Sequence, residues 1–235
     1  MTLILALACS DGIVMASDGQ MTIGLIRETL QKIKQIEGTT VLWGASGDVG
    51  YIQKIERIIS RLPVEARAEG LEAICSILKN RILELRAEAL NKHRRLYGPG
   101  SDERVGGADL IVADFKESPQ ILHVNIDCDD ERMDEFGFGA TGIGHDFAHT
   151  LLKGYSIKEL SLLAGTALAY RVLDRTITVG AYGLGYPIDL WNIKKDKDSN
   201  KTTVHHFIHA EVDGVADAVR LWQSAEFDLF RQQFP

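Results

Sequence analysis

Two apolar runs, one on each side of Ser10-Asp11-Gly12, constrain this chain more than any other stretch of it. An Asp-Gly pair between such runs is a strong short-range hairpin signal. Residues Met1 to Asp18 therefore read as a hairpin whose return strand brings Asp18 back to within a few residues of Thr2, with the register left open. A chain end inside a buried strand is unusual, because termini ordinarily fray into solvent. Removal of Met1 would place a hydroxyl and a free α-amine on the same residue, Thr2, a self-contained nucleophile and base.

The rest of the sequence alternates sheet-like and helix-like stretches. Gly19 to Gly24 reads as a turn-rich connection, followed by short strands at Lys32 to Ile36 and Thr40 to Trp43. Ile52, Ile55, Ile58, Ile59 and Leu62 then recur at helical spacing up to Pro63, and a second helix is expected from about Ala66 to Arg95. Strands at Ala108 to Phe115 and Gln120 to Ile126 precede an acidic loop, Asp127 to Asp134, and a strand entering a Gly-rich turn at Phe136 to Gly142. Helices return at Asp146 to Lys153 and Ser156 to Leu173, the second opened by Ser156 with Glu159 three residues on, a capping-box pattern. Ile188 to Ile193 and Thr202 to Ile208 read as paired strands, and Val212 to Phe230 as a terminal amphipathic helix. This order implies an α+β fold of two antiparallel sheets with helices outside, a four-layer αββα sandwich, in one domain spanning residues 1–235.

A formal charge of -7 argues against nucleic acid and anionic membrane as main partners. The three cysteines, Cys9, Cys75 and Cys128, are scattered without metal-ligand spacing and read as buried thiols in a reducing compartment. Leu3 to Ala8 lacks the basic segment that would make it a signal peptide, and no apolar run reaches membrane-spanning length. A cytoplasmic location is expected.

Specific stretches then resemble the proteasome β-subunits and the related bacterial ATP-dependent peptidase, members of the N-terminal-nucleophile hydrolases. They are Thr2-Leu-Ile-Leu-Ala-Leu, Asp11-Gly-Ile-Val-Met-Ala-Ser-Asp18-Gly-Gln-Met-Thr, Lys32-Ile-Lys-Gln-Ile, Val41-Leu-Trp-Gly44-Ala-Ser-Gly47-Asp and Gly139-Ala-Thr141-Gly142. Asp18-Gly-Gln is especially like the bacterial peptidase, whereas Pro187-Ile-Asp-Leu-Trp and the long tail depart from it.

The resemblance implies Thr2 as nucleophile, Asp18 and Lys32 as the charged pair beside it, Gly44 as the oxyanion N–H and Thr141 where the family carries serine. It implies a pocket for the residue before the cut lined by Met21, Leu30, Lys34, Leu42 and Ser46. Asp174, Thr176 and Thr178 are candidates for the late Asp and Ser of the family. It also implies a double ring of identical subunits acting on peptide or unfolded-protein substrate, served by a separate ATP-dependent unfoldase and needing no cofactor. Two other readings compete: a catalytically silent ring subunit, and a small-molecule amidohydrolase of the same fold. His145 and His149 are spaced like a metal pair but lack a third ligand, so no metal is expected, and Gly139 to Gly144 lacks the features of a nucleotide loop.

Overall fold

The computed structural model describes residues 2–23, 26–98, 105–180, 183–196, 199 and 201–234. Met1 lies outside them, as do residues 24–25 of the first connection. Strands β1 (Leu3–Cys9) and β2 (Gly12–Asp18) form the expected hairpin and are buried at every position. Their register, Ile4 opposite Ser17 through Cys9 opposite Gly12, sends alternate side chains to two different cores. Leu3, Leu5, Leu7 and Val14 face a helix layer, while Ile4, Ala6, Ile13 and Met15 face a second sheet. The strands are covered on both faces, so they read as unbroken apolar runs rather than as alternating ones.

The first sheet has the order β10-β1-β2-β11-β12, with β10 at Phe138–Gly142, β11 at Ile188–Lys195 and β12 at Thr202–His206. The second has the order β5-β6-β7-β8-β9, from β5 (Ile33–Gln35), β6 (Leu42–Gly47), β7 (Ala108–Phe115), β8 (Pro119–Val124) and β9 (Asp130–Arg132). Its outer face packs on α1 (Val49–Ile59) and α3 (Leu71–Tyr97), with α2 (Val64–Glu69) between them in sequence. The outer face of the first sheet packs on α4 (His145–Leu152), α5 (Leu162–Thr178) and α6 (His209–Gln233). The layers run helix, sheet, sheet, helix, as the element order implied.

Four local differences have physical causes. The connection after Asp18 is a two-stranded ribbon, β3 (Gln20–Ile23) with β4 (Ile26–Thr29), held by its own ladder rather than by apolar periodicity. The expected second helix is two helices, interrupted at Gly70 with φ +101°, outside the helical region. Ser156 makes no side-chain cap and opens only a 3-10 turn; α5 begins later, where Ser161 accepts from the Ala164 N–H. The acidic stretch after Ile126 contains the short edge strand β9.

Candidate active site

The hairpin register sets the centre of the site. Asp18 ends β2 with no exposed surface, and its Oδ1 accepts from the Leu3 N–H at 2.9 Å and from Lys32 Nζ at 2.7 Å. Its Oδ2 accepts from the N–H groups of Gln20 at 3.3 Å and Gly185 at 3.4 Å. The carboxylate thus sits one residue from Thr2 with donors on both oxygens, the satisfied state that a buried charge requires. Lys32 stands just before β5 with its side chain 5% exposed. Burial pushes its amine below the ordinary lysine value, and the Asp18 carboxylate only partly opposes that shift.

Gly44 lies opposite Ile33 in the second sheet and faces β1. A Cβ there would stand 2.9 Å from Ile4 Cδ1 and 3.2 Å from the Lys32 carbonyl, so only glycine lets β6 approach this closely. Two residues on, Ser46 and Thr141 share a buried hydroxyl–hydroxyl hydrogen bond of 2.9 Å, and Thr141 pairs in register with Ile4. Gly142, at φ +97°, brings β10 against the Thr2 carbonyl; a Cβ there would be 2.0 Å from that oxygen. Asp18, Lys32, Gly44 and Thr141 therefore converge on the first residues of β1 from four separate segments.

The residues expected to line a substrate pocket are spread more widely. Met21 lies half-buried on the ribbon and Leu30 beside its base, 43% exposed. Leu42 is fully buried in the core between the sheets, and Ser46 is engaged with Thr141. Lys34 pairs with Glu56 of α1 on the helix-facing side of the second sheet. Of the two lysines in this segment, Lys32 is the one on Asp18.

At the end of α5, the Thr176 hydroxyl donates to the Val172 carbonyl and that of Thr178 to the Asp174 carbonyl, each at 2.7 Å. Asp174 accepts from the Tyr186 hydroxyl, next to the Gly185 N–H that reaches Asp18. That Gly185 contact spans the whole hairpin-to-β11 crossing, and no local motif announces it. His145 Nδ1 lies 2.9 Å from the Gly142 carbonyl. Among the described residues no group of three metal-capable side chains converges, and no helix is long and apolar enough to cross a membrane.

Comparison with known proteins bears on the family and the fold. The model of the family described as "Proteasome subunit" matches residues 2–184. "Proteasome subunit beta" of Methanococcoides burtonii is 29% identical over 198 residues, covering 83% of this chain and 88% of that protein. "Proteasome subunit beta 2" of Pyrococcus abyssi is 27% identical over 178 residues, covering 75% and 79%. Among solved structures, the "Anbu (Gly-1) mutant" from Hyphomicrobium sp. strain MC1 superposes with a TM-score of 0.74 at 16% identity, over 98% of this chain and 97% of that one.

Proposed function

Since the chain belongs to the proteasome-subunit family, we propose that it is a threonine-type endopeptidase subunit cleaving peptide bonds through Thr2. The observation that carries the reading is the buried Asp18–Lys32 pair, whose carboxylate also holds the peptide N–H directly after Thr2. A threonine hydroxyl is a weak nucleophile unless a base adjoins it. Once Met1 is removed, the Thr2 α-amine, with an ordinary value of about 7.7–8.0, takes the hydroxyl proton as Oγ1 attacks the substrate carbonyl. Asp18 and Lys32 fix the start of β1 and stabilise the developing charge. The Gly44 N–H faces the oxyanion of the tetrahedral intermediate, a contact worth about 3–4 kcal/mol in comparable sites. The Thr141–Ser46 hydroxyl pair positions the adjoining backbone. Collapse expels the substrate amine, which carries away the proton, and water then hydrolyses the acyl-threonine.

In this reading the subunit assembles with copies of itself into a double ring in the cytoplasm and receives unfolded polypeptide from a separate ATP-dependent unfoldase. Asp18-Gly-Gln supports kinship with the bacterial ATP-dependent peptidase, while the curated relatives described above are archaeal β-subunits. Intact-mass measurement of the protein from its native host tests the first step, with loss of Met1 expected. Thr2→Ala should lower hydrolysis of fluorogenic peptides more than about 10³-fold with folding intact. Retention of Met1, or unchanged hydrolysis by Thr2→Ala, would overturn the assignment of Thr2.

A further inference from the structure

Beside the Asp18–Lys32 pair opens a groove of about 670 Å³ that the chemistry above does not use. The Gly19 N–H donates to the Gly185 carbonyl at 3.1 Å and the Gly19 carbonyl accepts from the Leu30 N–H at 2.8 Å. The backbone leaving Asp18 therefore runs straight into the groove wall. Leu30, Tyr186 and Phe207 give the groove an apolar body, and Asp189 and Asp213 supply carboxylates; no lysine or arginine is among the described residues that line it.

The two carboxylates are held differently. Asp189, its side chain only 13% exposed, has Oδ1 at 2.7 Å from His206 Nε2, and its Oδ2 accepts from Trp191 Nε1 at 3.1 Å. The Trp191 and His206 rings stack at 4.1 Å and 8°, so the two groups that hold this acid also brace each other. Asp213, 64% exposed, lies 3.1 Å from His209 Nδ1 at the start of α6 and is free to turn toward an occupant. A fixed carboxylate, a movable one and aromatic walls suit a side chain with a long apolar stem and a cationic head.

Its place relative to Thr2 follows from the sheet. Asp189 on β11 lies opposite Ser17, which lies opposite Ile4, so the fixed carboxylate sits two strand spacings from β1, about 10 Å at about 4.8 Å per strand, and two residues along it from Thr2. An extended peptide advances about 3.3 Å per residue, so a chain engaged at Thr2 reaches the groove about three to four residues from the bond it presents.

We propose that this groove is a specificity subsite that takes an arginine or lysine side chain of an extended polypeptide. The distance to the cut rests on Thr2 being the nucleophile; the preference for a cation does not. The test uses the full-length protein and fluorescein-labelled, alanine-based octapeptides carrying one arginine, or one glutamate in its place. Fluorescence anisotropy should show the arginine peptide binding roughly fivefold tighter or more, in line with one partly exposed ion pair. Asp213→Lys should erase or invert that preference, and Asp213→Asn, a nearly isosteric change, should weaken it if the reversal fails to fold. Mass spectrometry of any products should place the arginine about three to four residues from the cut. Equal binding of the two peptides, or a preference untouched in both variants, would overturn the subsite. An arginine preference without cleavage would overturn the Thr2 reading and leave the groove standing; cleavage without the preference would do the reverse.

Discussion

Asp18 and Lys32 show how much one buried pair can carry. Asp18→Asn keeps the shape but leaves a buried lysine without its counter-charge, a change that costs about 3–5 kcal/mol when a buried pair is broken. Chemical denaturation should show a loss of that order, and peptide hydrolysis should fall with it; a loss under about 1 kcal/mol would mean that the pair is not as desolvated as it stands here. These residues were legible in the sequence because the motif Asp18-Gly-Gln and the run from Lys32 have characteristic neighbours. His123 was not, because its character comes only from what surrounds it. It is mostly buried on β8, neither ring nitrogen has a hydrogen-bond partner, and the Glu131 carboxylate stands 4.0 Å away. Burial pushes its imidazole below the ordinary value, opposed by Asp109 and Glu131 and reinforced by His145. The unfolded chain therefore binds the proton first, at its ordinary value near 6.5. The stability contributed by neutral His123 is fully present above that pH and is lost as pH falls toward the folded value. His123→Leu should flatten the decline of Tm between pH 7 and pH 5, and at neutral pH should be neutral or stabilising by about 1 kcal/mol, since it removes unpaired polar atoms. His149, shifted the same way by burial and by His145, leaves part of the slope in place.

At the scale of elements, β6 decides how near the second sheet comes to the chain start. Gly44→Ala would press a methyl group against Ile4 Cδ1 at 2.9 Å and the Lys32 carbonyl at 3.2 Å. Ile4 can turn its terminal methyl, but the carbonyl belongs to the backbone that carries Lys32, so the strand must move. Overpacking of this kind costs about 1–3 kcal/mol. The expected outcome is a modest fall in Tm with a much larger fall in kcat, because the backbone that shifts carries Lys32; equal retention of kcat would show that the spacing between β1 and β6 is not critical. The same elements explain what could be read in advance. The β1–β2 hairpin was plain from Asp11-Gly12 because local turn chemistry fixes it, and α1 from its apolar period, confirmed by the Asp48 side chain capping Tyr51. The β3–β4 ribbon was missed because it pairs within itself as a separate two-stranded sheet, and the stretch from Gly19 to Gly24 reads locally as turns. The groove at Asp189 depends on the pairing of Trp191 with His206 across β11 and β12 and on Gly185 meeting Asp18, which are long-range facts that local pattern does not encode.

For the whole molecule, the informative quantity is the apolar surface left over once both sheets are covered. The inner faces of the two sheets bury each other, and their outer faces are sealed by α1 and α3 on one side and α4 to α6 on the other. Yet Phe147 and Leu151, one turn apart on α4, are 47% and 38% exposed, and Leu163 at the start of α5 is 80% exposed. Large apolar side chains at i and i+4 form a contiguous stripe, and such stripes on a folded chain mark places where another surface belongs. The Asp18, Lys32, Gly44 and Thr141 constellation comes entirely from one chain, so assembly would confine the site rather than complete it. Sedimentation should therefore find the wild-type protein as a particle several times the 26.0 kDa of the single chain. Phe147→Asp with Leu151→Asp should reduce it to small species with an unchanged circular dichroism spectrum. Each dissociated subunit should still cleave a short peptide once Met1 is removed, while losing any discrimination against folded protein. A wild-type chain that stays monomeric at every concentration would remove the ring from the proposal and leave the exposed stripe on α4 without a partner.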